Sequence, residues 1–303
     1  MTTRPVVVAG SVNMDLAVRC ARLPHPGGTV IGRDFRCVPG GEGANQAVAA
    51  ARLGAAVEFI GCVGTDAFGD QALAALRAKG IGVDRLRRVE GTATGAAIIS
   101  VADAGEKSIA LAPGASHGLS VRDVDDARER IGASAMLVCQ LETPLPVVQR
   151  AVEFAAAARV PVLNPAPAQP LPDSLLSIVD LLVPDEGEAA ALAAIGGNSA
   201  SAACSALALR RRGARTVIVT LGAGGVPLAD ERGCAQQPAH PARAVDTTGA
   251  GDAFVGALAA AWAAGDDLHK AVDFAQRAAA FSVERHGAQA AMPRRRDLPA
   301  RST

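Results

Sequence analysis

Nine consecutive residues, Asp246-Thr247-Thr248-Gly249-Ala250-Gly251-Asp252-Ala253-Phe254, carry the most chemistry per residue in this chain. Two glycines bracket an alanine, an aspartate follows at once, and an apolar helix-like run begins at Ala253. That order suits a helix N-terminus whose free backbone N–H groups face an anion, with a carboxylate beside them. A phosphate held there lies next to a group able to take a proton from an attacking hydroxyl. Beyond that, phosphoryl transfer to an alcohol needs a metal and correct positioning.

Other candidate groups follow apolar, strand-like runs. Asn13 and Asp15 come after Val6-Val7-Val8, and Glu142 comes after 136–139. Asp185 and Glu188 come after 181–183, and Thr220-Leu221-Gly222-Ala223-Gly224-Gly225 ends another run. Gly40-Gly41-Glu42-Gly43-Ala44-Asn45-Gln46 opens a helical stretch; its glycines allow close approach to the backbone, and Asn45 both donates and accepts hydrogen bonds. Taken singly, each has a plainer reading. Asn13 and Asp15 also fit a turn, and 40–43 also fits a tight turn before a helix. Asp185 also fits an N-cap, Glu188 a first-turn acid, and 220–225 a glycine-rich turn. Five strand ends that all carry small or polar groups are harder to assign to turn chemistry alone.

These groups need a scaffold, and the hydrophobic pattern supplies one. Strands are expected at 5–10, 57–63, 136–139, 160–163, 181–183 and 216–221. Helices are expected at 43–53, 66–79, 145–158, 186–195 and from Ala253 to about 264. Asp66 is the expected N-cap of the second helix and Gly80 its stop. The alternation predicts an α/β fold: a doubly wound, mostly parallel sheet with helices on both faces. Four further strands, at 16–20, 29–38, 95–101 and 107–111, have no helices between them. They predict a small β-sheet lid inserted from about 14–38 and 93–112 into a single domain spanning 1–303. A lid beyond the strand ends would exclude water from a reaction there.

Composition narrows the partners. The 303 residues carry a formal net charge of zero, which gives no reason to expect nucleic acid or an anionic membrane. The short run Arg294-Arg295-Arg296 reads as a solvated tail. Half the residues are hydrophobic but only 3% aromatic, so Ala, Val, Leu and Ile must build the core. Six scattered cysteines lack metal-binding spacing, so zinc is not expected; Cys62 and Cys139 read as buried. Neither a signal peptide nor a membrane span is expected, and a reducing cytoplasm fits. No GxxxxGK[ST] run occurs, and no GxGxxG follows the first strand.

The runs at 10–15 and 40–50, Asn164-Pro165-Ala166-Pro167-Ala168, Thr220-Leu221-Gly222 and 246–252 together resemble the ribokinase-like (PfkB) carbohydrate kinase family along nearly the whole chain. The second and third of these are most similar to its ribose-directed members. The resemblance implies an ATP-dependent sugar kinase that makes D-ribose 5-phosphate and ADP from D-ribose and ATP. It implies Asp252 as general base and Gly249, Ala250 and Gly251 as the anion hole for the γ-phosphate. Asn13, Asp15, Gly41, Glu42, Asn45 and Glu142 match sugar-side positions. Asp185, Glu188, Thr220, Gly222, Gly225, Gly251 and Gln276 match nucleotide-side positions. Asp246 and Thr248, with backbone groups near Ser282, Arg285 and Gly287, match a loop for a monovalent cation, usually K+. Mg2+ is expected with ATP, and a homodimer through the lid is implied.

The chain departs from that pattern at four places. Glu42 stands where lysine is usual, Asp185 where asparagine opens Asn-x-x-Glu, Ala291 where a serine hydroxyl helps hold the cation, and Gln276 where asparagine is common. Two alternatives therefore stand beside the ribose reading. One is a related sugar or nucleoside kinase with altered substrate choice. The other is a non-catalytic sugar- or nucleotide-binding regulator.

Overall fold

A computed structural model describes residues 4–157, 160–193 and 201–298. In chain order the first half contains β1 (Val6–Ala9), β2 (Asn13–Cys20), β3 (Gly32–Gly40), α1 (Glu42–Arg52), β4 (Val57–Gly64), α2 (Ala67–Arg77), β5 (Gly82–Val89), β6 (Gly95–Ala102), β7 (Lys107–Ala112), α3 (Val121–Asp125), α4 (Arg128–Ala133) and β8 (Met136–Cys139). The second half contains α5 (Leu145–Ala156), β9 (Val160–Leu163), α6 (Asp173–Leu176), β10 (Leu181–Leu182), α7 (Glu186–Ala193), α8 (Ala202–Arg211), β11 (Thr216–Ile218), β12 (Val226–Asp230), β13 (Gly233–Gln237), α9 (Ala250–Ala263) and α10 (Leu268–Val283).

The large sheet has nine strands in the order β13-β12-β11-β10-β9-β8-β1-β4-β5. Pairing is parallel from β11 to β5, and β12 and β13 add an antiparallel edge. From β1 the chain runs outward through β4 to β5, then returns to β8 on the other side of β1. The strand order therefore reverses between β1 and β8, and ligands of open α/β sheets bind beyond such a point. Asn13 and Asp15 follow one of these strands, and Glu142 follows the other.

Alternation along β1 shows how the two faces are filled. Val6 and Val8 join the core cluster under α1, α2, α9 and α10. Val7 and Ala9 join the opposite cluster, under α3 to α8. Cys62 and Cys139 are buried as expected. Asp66 caps α2 through its carboxylate, which accepts from Gly69 N–H, and Gly80 follows that helix with φ 75°. The helix α9 is apolar nearly all round because it packs on both α1 and α10. At Gly256 a Cβ would come within 2.5 Å of Ala49 Cβ and of Gln46 O. The missing side chain is what lets α9 lie directly against α1.

The small sheet has the order β3-β2-β6-β7, and β2 and β6 are parallel within it. The small sheet, expected as a lid over 14–38 and 93–112, is built from residues 13–40 and 95–112. Asn13 and Asp15 belong to β2 and not to a turn. Strands β5, β12 and β13 and helices α3, α4, α6, α8 and α10 had no sequence assignment. The strand β5 (Gly-Val-Asp-Arg-Leu-Arg-Arg-Val) is an edge strand, mostly exposed, and a register shift against β4 leaves its two buried residues, Val83 and Leu86, three apart, so it carries no period-2 pattern. The strand expected over 216–221 ends at Ile218. Residue 158 of the helix expected at 145–158 and residues 194–195 of the helix expected at 186–195 lie outside the described residues. Arg294, Arg295 and Arg296 are exposed, though Arg295 lies over the Phe274 ring at 4.4 Å. Among the described residues no helix is long and apolar enough to cross a membrane.

Candidate active site

Asp252 lies in the first turn of α9 and is 8% exposed. Its Oδ2 accepts from Asn45 Nδ2 at 2.9 Å and its Oδ1 from Gln46 Nε2 at 3.0 Å, so two neighbouring residues of α1 orient it. Burial pushes its carboxyl up to about 7; the two amide bonds oppose this, and the charges of Glu142 and Asp15 add to it. Such a group is poised as a base near neutral pH.

The amides are themselves held. Gln46 Nε2 also donates to Asn164 Oδ1 at 2.8 Å, and Gln46 Oε1 accepts from Gln140 Nε2 at 2.6 Å. Asn164 Nδ2 donates to the Val183 carbonyl at 2.8 Å. Asn45 Oδ1 accepts from Gln289 Nε2 at 3.0 Å. Asn45, expected to meet sugar hydroxyls, thus has both polar atoms engaged within the protein. Gln46, Asn164, Gln140 and Gln289 had no assigned role. The one signal in the sequence is that they are polar residues inside otherwise apolar or small runs.

A second carboxylate closes the other end. Glu142 Oε2 accepts from the Ser11 hydroxyl, from Asn13 Nδ2 at 3.3 Å and from Glu42 N–H at 3.2 Å. Asp15 stands beside it on β2, and burial, then the Glu142 charge, pushes the Asp15 carboxyl up to about 6. Gly40 and Gly41 make room for this cluster. A Cβ on Gly40 would strike the Asp15 carboxylate at 2.2 Å, and one on Gly41, which takes φ 90°, would come within 2.8 Å of Asn13 N.

A cleft of about 290 Å3 opens beside Asp252. It is lined in part by Glu42, Asp185, Glu188, Thr220, residues 249–252 and Lys107 of the lid. At its floor Gly249 caps α9 in the left-handed region (φ 72°), with its absent Cβ 2.8 Å from Ala288 Cβ. A Cβ on Gly251 would meet nothing within 4 Å, so the helix start is open to the cleft. Ala250 N–H is drawn into a turn with the Thr247 carbonyl at 3.2 Å. Behind this start, Asp246 ties two loops together: it accepts from Thr248 N–H and from Gly287 N–H, each at 2.9 Å. Burial alone would raise its carboxyl, but the bonds from Gly287 and Thr248 and the nearby His286 hold it below the usual range. The Ser282 hydroxyl turns back to Ala279 O, and the Ser282 carbonyl accepts from Arg285 N–H.

At the positions expected to face the nucleotide, Asp185 and Glu188 bond each other's backbone N–H at 2.7 and 2.8 Å, a reciprocal cap of α7. Burial pushes Glu188 up to about 7; its bond from Asp185 N–H opposes this, and the Asp185 charge adds to it. The N–H groups of Leu221, Gly224 and Gly225 close a turn among residues 221–225, so they do not cradle a phosphate as the glycine-rich run suggested. Thr220 lines the cleft; Gly222 and Gly225 do not. Gln276, buried on α10, lies 3.4 Å from Gln237 Oε1. Glu42 faces the cleft. Burial, then the charges of Glu142, Asp252, Glu188 and Asp185, pushes its carboxyl well above the usual range. Its Oε2 is buried without a hydrogen-bond partner.

Hard oxygen donors facing one cleft suit a dication that arrives with phosphates. Among the described residues no three His, Cys, Asp or Glu side chains form a metal cage of their own. A lidded α/β sheet, a helix start open to an anion and a buried carboxylate beside it define a phosphotransferase acting on an alcohol. Residues 3–295 match the pfkB family carbohydrate kinases, and the chain belongs to that family. It is 40% identical over 296 residues to a ribokinase of Haemophilus influenzae, covering 97% of each chain. Its structure is similar to ribokinase from Thermotoga maritima (TM-score 0.90, 33% identity, 97% and 98% of the two chains). It is also similar to Arabidopsis thaliana ribokinase complexed with ribose and ATP (TM-score 0.88, 31% identity, 98% of each chain).

Proposed function

We propose that this chain transfers the γ-phosphate of ATP to the primary hydroxyl of D-ribose, giving D-ribose 5-phosphate and ADP. The observation that carries this is Asp252: a buried carboxylate fixed by Asn45 and Gln46 at the open start of α9. The relatives named ribokinase supply the sugar. In this reading Asp15 and Glu142 accept from sugar hydroxyls, while Asn45 acts through Asp252. Asp252 takes the hydroxyl proton as the phosphorus–oxygen bond forms, a contribution of ~10²–10⁴-fold. The start of α9 at Gly249, Ala250 and Gly251 receives the developing phosphate charge. Asp185 and Glu188 would hold Mg2+ arriving with ATP, and the ion would supply charge to neutralise the β- and γ-phosphates.

Two finer assignments belong to the same reading. The ionised Asp246, held by the Gly287 and Thr248 N–H groups, fits a monovalent cation such as K+ on the loops at 246–248 and 285–287. It would order the start of α9; Ser282 offers that cation no free hydroxyl. The lid exposes Ile31, Phe35 and Ile98, each more than half exposed, and a second copy of the chain would cover them. The whole chain thus works as one catalytic unit with an inserted lid.

A substrate panel at fixed Mg·ATP tests the reading. Ribose is expected to give the highest kcat/KM; xylose, arabinose or a riboside matching it overturns the ribose assignment. One observation favours a different sugar: the carboxyl of Glu42 faces the cleft beside Asp252. If ribose and ATP bind with no ADP released, the chain is a binding regulator instead.

A further inference from the structure

The cleft has an imbalance of charge. Glu42, Asp185, Glu188 and Asp252 line it, and Lys107 is the one basic side chain among its lining residues. Glu42 presents a buried oxygen with no hydrogen-bond partner. An unpaired buried carboxylate is costly, and it is relieved by a proton or a cation.

The strand register shows that Lys107 is aimed at this place. Arg19 of β2 pairs with Val101 of β6, which pairs with Lys107 of β7. Two residues back, Ala17 pairs with Ile99 and Ile99 with Ile109; two further, Asp15 pairs with Ala97 and Ala97 with Leu111. Paired and alternate residues share a face of a sheet. Lys107 therefore shares the face of Asp15, the side chain beside Glu142 at the sugar end. It lies four residue pairs further out, at the start of β7 next to the hairpin turn. It is exposed, and among the described residues it enters no ion pair. A four-carbon stem lets such a lysine swing without moving the backbone.

We propose that Lys107 of the lid and Glu42 of α1 form an ion pair across the cleft that holds the lid down over bound substrates. Both are positioning residues: they fix the sheet that excludes water while Asp252 meets the hydroxyl. The pair gives Glu42 a partner, and it ties the outer half of the lid to the helix that carries Asn45 and Gln46. The inference rests on the sugar-kinase reading for its kinetic test only.

The test is a double-mutant cycle in steady-state kinetics with Mg·ATP and ribose: wild type, Glu42→Gln, Lys107→Gln and the double variant. Each single change is expected to lower kcat/KM about tenfold, because it leaves one charge uncompensated. The double variant is expected to be no worse than the weaker single. The salt sensitivity of kcat/KM is expected to be greatest in wild type and to fall in the double variant. Losses that multiply, or a Lys107→Gln enzyme equal to wild type, overturn the pair. If wild type phosphorylates no sugar, the kinase reading fails separately. The pair is then read by carbodiimide coupling and mass spectrometry. A linked peptide joining 42 to 107, lost in Lys107→Gln, upholds it; no such peptide in wild type overturns it.

Discussion

Replacing Gln46 with Met tests whether the amide network sets the base. The side-chain volume is nearly kept, but the donor to Asp252 Oδ1 is lost. A hydrogen bond to a charged group contributes about 1.5–3 kcal/mol. At about 1.4 kcal/mol per pKa unit, losing it raises the Asp252 carboxyl by about 1–2 units. Starting from about 7, the variant titrates at about 8–9. At pH 7 the ionised fraction falls from about one half to about a tenth or a hundredth, so kcat/KM falls about 5- to 50-fold. Activity recovers as the pH is raised through that range. Gln140 Nε2 loses its acceptor on Gln46 and Asn164 Oδ1 loses its donor, which costs about 1–3 kcal/mol of stability for each group left unsatisfied. The assay is a pH profile of kcat/KM beside thermal unfolding. An acid limb that stays in place while activity drops equally at every pH would refute the reasoning, since a merely structural role moves stability and not the limb.

Asp252→Asn is expected to lose ~10²–10⁴-fold in kcat while sugar binding by calorimetry is retained; unchanged turnover removes Asp252 as base. Asp15, Glu42, Glu188 and Asp252 all have raised carboxyls, so the folded protein keeps protons that the unfolded chain has released above pH ~4. Their stabilisation is complete below that pH and is lost as pH rises through about 6 to 7; unfolding temperatures of the unliganded protein should fall from pH 5 to pH 8, and a rise contradicts the cluster. Gly249→Ala forces a side chain into the left-handed region against Ala288 and should cost ~1–3 kcal/mol with a large loss of kcat; a variant with wild-type kinetics and stability would show that this cap is not needed. Asp246→Asn should abolish stimulation by K+ in a cation titration while leaving ribose binding intact; undiminished stimulation places the cation elsewhere.

Much of the architecture was legible because burial on both faces leaves simple marks. Val6-Val7-Val8 and 136–139 are short apolar runs, and Asp66 and Gly80 punctuate a helix. The lid showed itself as strands lacking helices between them. Charged edge strands such as β5 escaped, since exposure removes the pattern that marks a buried face. At the site, residues of unusual type in unusual places were legible: Asp252 after two glycines, Glu42 in a glycine run. What the sequence could not convey is where an amide points. Asn45 reads as a ligand for hydroxyls, yet the packing of α9 on α1 spends it on Asp252 and Gln289. The glycines at 222–225 read as a phosphate cradle, yet the turn they form takes up the N–H groups of Gly224 and Gly225.

The bare backbone at Gly256 has a consequence for how such an enzyme can change. The base on α9 and the two amides on α1 are spaced by a seam one turn away, where no substrate reaches. The thickness of a single methyl group there would shift donor and acceptor apart. In the proposed reading the acceptor specificity, in contrast, rests on β2, the small sheet and Glu42, which lie outside that seam. Variation can therefore explore new alcohols at one end of the cleft while the alignment of base and phosphate is inherited unchanged, and selection for altered substrates should spare position 256.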